Sequence, residues 1–172
     1  AFIPVRGGSK SIPLKNIMII AGRPLVYWTV KAASDCDGID VVYVATDSPV
    51  IKETVIGFKL PKVQVIGRGA NTATDTASTE SAMLEFALEN DFDNIALIQA
   101  TSPLLKAEDI SEGFKLLKSE GTDSVLSVVR QKRFHWDIDK KGFAHPVNYD
   151  VFKSPRRQEF DGNLVENGAF YI

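Results

Sequence analysis

Short apolar runs separated by amphipathic stretches form the main pattern along the chain. The runs are rich in β-branched or aromatic residues, as is typical of buried strands, and occupy residues 2–5, 41–45, 63–66, 94–98 and 123–129. Helical spacing of apolar residues predicts helices at Pro24 to about Ser34, Val50 to about Ile56, Thr79 to Asn90 and Ala107 to about Ser119. Strands that alternate with helices predict an α/β fold with a doubly wound, mostly parallel sheet.

The predicted ends of these elements add detail. Thr79 is expected to cap the third helix, with Met83, Phe86 and Ala87 facing inward. Residues 67–78 read as a long polar loop of the kind that surrounds a site or is mobile.

The pattern changes after Arg130. Residues 131–162 contain many charges, both histidines and few regular apolar runs. We interpret this segment as an excursion from the sheet, within a single domain that spans residues 1–172. The sequence stops at Phe170-Tyr171-Ile172, which reads as the middle of a strand, so we expect the domain to be incomplete at its C-terminus.

Composition and charge exclude several classes of function. The chain has 172 residues, of which 44% are hydrophobic and 24% are charged, as expected for one globular domain. A formal net charge of −2 gives no reason to expect nucleic-acid binding, and no apolar run is long enough to span a membrane. Cys36 is the only cysteine, which excludes an intrachain disulfide and fits a reducing compartment; we interpret it as structural or incidental.

A glycine-containing basic loop follows the first predicted strand. It contains Arg6, Gly7, Gly8, Ser9 and Lys10, and Lys15 and Asn16 follow. The glycines allow a close backbone approach and expose N–H donors, and the cations can neutralise phosphate oxygens. The loop matches neither of the two commonest phosphate-binding motifs, and its charges could simply be solvated. Its position at the carboxyl edge of the sheet favours a ligand.

A second polar motif, Gln99-Ala100-Thr101-Ser102-Pro103-Leu104, follows a predicted central strand and therefore faces the same edge. An amide and two hydroxyls suit hydrogen bonds to a sugar. The alternative is that Thr101 or Ser102 caps the next helix.

Two further groups of residues are candidates for binding. The adjacent guanidiniums of Arg156 and Arg157 match the geometry of a carboxylate, although a solvated surface pair is the alternative. Asp75 could belong to a site or to an Asx turn. His135 and His145 lack metal-ligand spacing and are interpreted as structural or surface groups.

The order of these motifs resembles that of the acylneuraminate cytidylyltransferases, or CMP-sialic acid synthetases. The resemblance rests on residues 6–10, 12–16, 75–78, 99–104, 155–158 and 167–171. It implies a Rossmann-like nucleotidyltransferase fold and an enzyme that activates a nine-carbon 2-keto acid sugar, such as N-acetylneuraminate or KDN, with CTP. It also implies a homodimer through residues 131–162, and a cytoplasmic location, or a nuclear one if the source is a vertebrate.

The resemblance assigns roles to particular residues. The catalytic residues would be Arg6, Lys10 and Lys15, and the nucleotide would be bound by Arg6, Gly7, Gly8, Ser9, Lys10, Lys15, Asn16, Arg68 and Thr79, with Arg68 and Thr79 near the cytosine and ribose. The sugar would be bound by Gln99, Thr101, Ser102, Arg156, Arg157 and Tyr171.

The resemblance also implies Mg²⁺ (or Mn²⁺), for which the sequence identifies no ligands. The Asp-x-Asp motif expected in this family is not matched, and Asp137-Ile138-Asp139 lies in the excursion and receives no role. The related Kdo cytidylyltransferases carry a metal-binding acid near Thr101 and Ser102, so these hydroxyls favour the sialic-acid branch. A nucleotide-binding module without turnover, or a transferase for legionaminate or Kdo, remain the alternatives.

Overall fold

A computed structural model describes residues 1–8, 12–74 and 76–172. The strands are β1 (Phe2–Pro4), β2 (Ile19–Ile20), β3 (Arg23–Pro24), β4 (Val42–Ala45), β5 (Val63–Ile66), β6 (Leu97–Ile98), β7 (Leu126–Gln131), β8 (Trp136–Ile138), β9 (Ala144–Pro146) and β10 (Asn163–Tyr171). The α-helices are α1 (Leu25–Asp35), α2 (Pro49–Ile56), α3 (Thr79–Glu89) and α4 (Ala107–Leu117), and short 3₁₀ turns occupy Lys15–Ile17 and Val151–Lys153.

The main sheet is mixed and mostly parallel, which confirms the predicted fold class. Its strand order is β5-β4-β1-β6-β10-β7. Strand β1 pairs in parallel with β4 on one side and with β6 on the other, whereas β10 runs antiparallel to β6. Because the chain first builds outward from β1 through β4 to β5 and then returns to the other side of β1, the strand order reverses between β1 and β6. A cleft is expected at the carboxyl ends of these two strands.

The two faces of the sheet bury separate apolar clusters. On one face Ile3, Val44 and Ile98 pack with residues of α1, α2 and α4, and on the other Phe2, Ala45 and Leu97 pack with Ala82 and Phe86 of α3. Neighbouring residues of one strand therefore point to opposite faces, as the pleat requires. Helices on both faces make the sheet doubly wound.

Two sequence-based expectations about α3 are wrong. The N-cap is Ser78, whose Oγ accepts a hydrogen bond from Ser81 N at 3.0 Å, and Thr79 is the first helical residue. Ala87 is exposed, while Ala82 and Phe86 are buried. The packing of Phe86 on Phe2, with ring centroids 5.0 Å apart, determines which side of α3 faces the sheet.

Several strands differ from their predicted bounds. The strand predicted at residues 94–98 pairs regularly only over Leu97–Ile98, and the one predicted at residues 123–129 is shifted to Leu126–Gln131. The β2–β3 hairpin was not predicted, because each of its strands has only two residues. Its turn uses Ala21 and Gly22 with φ of 51° and 81°, and Trp28 Nε1 donates to Ile20 O at 3.0 Å.

The chain divides into two compact units, residues 1–126 with 168–172 and residues 127–167. The second unit contains the segment interpreted as an excursion and includes the β8–β9 hairpin. Phe134 holds an aromatic cluster together, with ring centroids 4.5 Å from Tyr149 and 5.0 Å from Phe160. Trp136 and Phe143 remain 52% and 67% exposed in the single chain.

In the part of the chain that the structure describes, no helix has the length and apolar character needed to cross a membrane.

Cys36 is buried in the core, with its Sγ 3.3 Å from Ser111 Oγ, in line with its interpretation as a structural residue.

Candidate functional site

A polar cavity of about 260 Å³ lies in the first unit where the loops after β1 and β6 diverge. It contains seven of the residues selected from the sequence, and its lining is Pro4, Arg6, Lys15, Asn16, Arg68, Ala77, Thr79, Gln99, Ala100 and Thr101. These residues come from five separate segments of the chain. Their convergence follows from the shared edge at which the parallel strands end.

The start of the first loop is held against the end of β4. Gly7 N donates to Asp47 Oδ1 at 2.8 Å, and a Cβ on Gly7 would lie 2.8 Å from Ser48 Cβ. A real Cβ does not approach another carbon this closely, so this position requires glycine. A Cβ on Gly8 would meet nothing within 4 Å, so no steric contact requires glycine at this position.

The two glycines therefore predict different outcomes on substitution. We expect Gly7→Ala to lower the free energy of unfolding by about 1–3 kcal/mol, because the added methyl overpacks against Ser48. Gly8→Ala, the matched control, should leave stability unchanged. Urea denaturation of both variants tests the difference, and equal midpoints would contradict the close approach seen at Gly7.

The second half of the loop places Lys15 and Asn16 in the cavity. Leu14 adopts a left-handed conformation with φ of 50°, after which the 3₁₀ turn Lys15–Ile17 begins. Asn16 is only 8% exposed, and its Nδ2 donates to Arg6 O at 3.4 Å. Asn16 thus ties the two ends of the loop together and leaves the half-buried Lys15 on the cavity wall.

Two arginines add to the positive charge that Lys15 gives the cavity. Arg6 Nη1 donates to Thr74 O at 3.1 Å, and Arg68 Nη2 donates to Thr72 O. Burial lowers the pKa of Arg68, and the neighbouring Arg6 acts in the same direction, whereas Asp47 and Glu85 oppose it. Arg68 Nε is buried with no hydrogen-bond partner among the described residues. Partly desolvated like charges of this kind favour a polyanionic ligand.

An apolar cavity of about 570 Å³ adjoins the polar one. It is lined by Thr79, Glu80, Met83, Ile95, Leu97, Gln99, Tyr171 and Ile172. Thr79 and Gln99 line both cavities and mark where they meet. Of the residues predicted to bind a sugar, Gln99 and Tyr171 therefore share this cavity, and Gln99 and Thr101 line the polar one.

Other predicted site residues lie elsewhere. Ser102 lines neither cavity, and its N donates to Gln99 O at 3.3 Å; helix α4 begins at Ala107, so neither Thr101 nor Ser102 is its cap. Arg156 and Arg157 belong to the second unit, where both are exposed and Arg156 Nε lies 3.8 Å from Glu159 Oε1. The predictions for Ser9, Lys10 and Asp75 fall outside the described residues.

The described residues do not fit a protein-bound metal ion. Those that line the polar cavity include three cations and no carboxylate. Elsewhere in the described ranges, no three His, Cys, Asp or Glu side chains cluster in a way that could hold a metal.

Sequence reasoning missed two carboxylates that support the site. Asp47 directly follows β4, so the rule that strand ends share an edge could have identified it. Glu85 lies on the inward side of α3 between Ala82 and Phe86, and its carboxylate accepts from Gly69 N at 3.1 Å. A charged residue on a buried helical face was the available signal.

Comparison with known proteins gives a consistent result. The sequence model of the cytidylyltransferase family matches residues 1–149. An N-acylneuraminate cytidylyltransferase of Oncorhynchus mykiss is 43% identical over 176 aligned positions, which cover 100% of this chain and 40% of that protein. A CMP-N,N'-diacetyllegionaminic acid synthase of Legionella pneumophila is 33% identical over 135 positions, which cover 74% of this chain and 56% of that protein.

The fold also matches a solved structure, a CMP:2-keto-3-deoxy-manno-octonic acid synthetase complexed with CTP. The TM-score is 0.68 at 20% identity, with 99% of this chain and 71% of that chain covered. This chain spans about 40% of the length of the N-acylneuraminate cytidylyltransferases that it matches. On the match of the family model over residues 1–149, the chain belongs to the cytidylyltransferase family.

Proposed function

We propose that the protein to which this chain belongs transfers CMP from CTP to the 2-hydroxyl of a nine-carbon 2-keto acid sugar. The observation that carries the proposal is the convergence of Arg6, Lys15 and Arg68 with Gln99 and Thr101 in one cavity at the strand-order reversal. Cations on one side and neutral hydrogen-bonding groups on the other suit a triphosphate beside a sugar. The names of the 43% and 33% identical relatives support this substrate class.

In the proposed reaction the sugar oxygen attacks the α-phosphorus of CTP. A bond forms between that oxygen and phosphorus while the hydroxyl proton passes to water, the bond from the α-phosphorus to the bridging oxygen breaks, and pyrophosphate leaves with the bonding electron pair. Arg6, Lys10 and Lys15 would neutralise charge on the phosphoryl oxygens, and Ser9 would help to hold the triphosphate through its hydroxyl. Arg68 and Thr79 would lie near the cytidine, and Asn16 would keep the loop in shape.

The sugar would lie where the polar and apolar cavities meet. Gln99 lines both, and Tyr171 lines the apolar one, which could receive an uncharged substituent of the sugar. The matched relatives are named for N-acylneuraminate and for diacetyllegionaminate, so the proposal includes both as candidate acceptors. Arg156 or Arg157 would bind the carboxylate at C1.

A divalent cation, Mg²⁺ (or Mn²⁺), is part of the proposal although the described lining offers it no ligand. When bound, such an ion would neutralise charge on the triphosphate. Because the described lining of the polar cavity contains no carboxylate, the second candidate is a nucleotide-binding module without turnover. Release of pyrophosphate from CTP separates the two.

Base selectivity tests the proposal. A site that accepts a hydrogen bond from the exocyclic amine of cytosine leaves its acceptor unpaired when uracil binds. We expect kcat/KM for CTP to exceed that for UTP by about 10–100-fold. Steady-state assays of pyrophosphate release with both nucleotides provide the measurement, and equal values would exclude a cytidine-selective site.

A homodimer formed through residues 131–162 is also proposed. The second unit packs Phe134 against its own aromatics but leaves Trp136 and Phe143 half or more exposed, and Phe152 is 94% exposed. Aromatic side chains on a small unit of this kind suit an interface with a second copy.

A cytoplasmic location, where CTP is available, completes the proposal.

Mixed dimers test whether Arg156 and Arg157 serve the partner's site. We expect an Arg156→Ala/Arg157→Ala protein and a Lys15→Ala protein, each weakly active, to regain part of the activity when mixed. One of the two sites in each mixed dimer would then carry no substitution. Sedimentation must show the mixed dimer, and a fully active monomer would contradict the dimer proposal. No recovery in verified mixed dimers would place the arginines in their own subunit's site.

A further inference from the structure

A turn in the loop after β5 is braced by a carboxylate from α3. Gly69 O accepts from Thr72 N at 3.1 Å and from Ala73 N at 3.0 Å, which closes the turn. Glu85 Oε1 accepts from Gly69 N at 3.1 Å, and Glu85 Oε2 accepts from Thr72 Oγ1. Both carboxylate oxygens therefore hold the turn, one at each end.

The turn and the residue that follows it hold the two arginines of the polar cavity. The carbonyl of Thr72 accepts from Arg68, and the carbonyl of Thr74, two residues later, accepts from Arg6 at 3.1 Å. Neither carbonyl can orient its arginine unless the turn itself is fixed. A chain of contacts thus runs from Glu85 through Thr72 to the guanidinium of Arg68.

The fit between Glu85 and the turn is close. A Cβ on Gly69 would lie 2.2 Å from Glu85 Oε1, so a side chain there would displace the carboxylate. Hydrogen bonds to an ionised acceptor are stronger than neutral ones, and Glu85 is only partly exposed. The carboxylate is therefore suited to hold a polar loop that has no regular secondary structure of its own.

We propose that Glu85 is a positioning residue that orients Arg68 and Arg6 for nucleotide binding through the Gly69–Thr72 turn. Glu85 itself does not line the polar cavity, so it acts on the arginines from outside that cavity. This inference rests on the proposed function, because it assigns the arginines to CTP. It adds a residue from the second turn of α3 to a site that Thr79 reaches from the first turn of the same helix.

The test compares three substitutions in the protein. Glu85→Gln keeps the shape of the side chain but replaces one of its two acceptor oxygens with an NH₂ donor. Thr72→Val removes the hydroxyl that donates to Glu85. Glu89→Gln, the matched control, removes the same charge one turn further along the same helix. We expect the first two to raise KM for CTP about tenfold with kcat changed less than about twofold, and the control to change neither.

Amide hydrogen exchange of residues 69–73 provides a readout that does not depend on CTP. Exchange should be faster in Glu85→Gln and in Thr72→Val than in the wild type and in Glu89→Gln. Thr72→Ser keeps the hydroxyl and should restore both exchange and KM. Glu85 and Thr72 share one contact, but Glu85 also accepts from Gly69 N and Thr72 Oγ1 also lies 3.1 Å from Gly69 O, so the effect of the double variant should be smaller than the sum of the two single effects.

The outcomes separate this inference from the proposed function. Faster exchange together with a raised KM supports the positioning role. Faster exchange with an unchanged KM, or no change in either, overturns the role of Glu85 while CTP turnover by the wild type upholds the proposed function. A wild type that neither binds nor turns over CTP overturns both.

Discussion

Lys15→Ala is expected to lower kcat/KM for CTP by about 10²–10³-fold while the protein stays folded. Lys15 lines the polar cavity from a 3₁₀ turn that follows the left-handed Leu14, so its backbone is in place before the nucleotide arrives. Removal of one preorganised group that stabilises transition-state charge commonly costs about 3–4 kcal/mol. Steady-state kinetics with CTP and a sugar acceptor measure the loss.

Two controls make this result specific. Lys52→Ala removes an exposed lysine from α2 in the same unit and should leave the kinetics unchanged. Lys15→Arg keeps the charge and should recover part of the rate. Unchanged kinetics in Lys15→Ala, with Lys52→Ala also unchanged, would remove Lys15 from the site.

Ile110→Ala is expected to lower the free energy of unfolding more than Gly7→Ala does. Ile110 is fully buried on α4 against the face of the sheet that carries Ile3 and Ile98. Truncation of such a side chain removes its transfer free energy and leaves a cavity, which together cost about 2–5 kcal/mol. Urea denaturation measures the change in the free energy of unfolding.

Leu116→Ala is the matched control on the same helix. Leu116 is 58% exposed, so its truncation should cost less than about 1 kcal/mol. If both variants unfold at the same urea concentration, α4 does not pack on the sheet as described. Activity measured well below the unfolding midpoint should be close to normal in both variants, because neither side chain lines a cavity of the site.

The sequence predicted most of the site because of a simple geometric rule. Polar residues that follow parallel strands meet at one edge, and this alone brings Arg6, Lys15, Gln99 and Thr101 together. Arg68 was harder to place from the residues alone, since it lies in a long loop, and its selection came from the family resemblance. The cavity gives the location of these residues, and their roles remain predictions for kinetics to test.

Long-range contacts explain what the sequence did not predict. Asp47 reaches the N–H of Gly7 across 40 residues, and Glu85 reaches Gly69 across 16, and neither pairing has a local signature. Thr79 was predicted to cap α3, but Ser78 does so. This is a local ambiguity of the sequence, because either hydroxyl can cap a helix. The β2–β3 hairpin has only two residues in each strand, too few for a sequence signal, and the hydrogen bond from Trp28 Nε1 to Ile20 O supports it.

Product analysis with a panel of acceptors tests the central claim most directly. The protein is incubated with CTP, Mg²⁺ and one of N-acetylneuraminate, KDN, legionaminate or Kdo, and the products are identified by mass spectrometry. We predict a CMP-sugar and an equal amount of pyrophosphate with at least one nine-carbon acid, and much less product with Kdo. Binding of CTP without any CMP-sugar from the whole panel would contradict the account and identify a nucleotide-binding module instead.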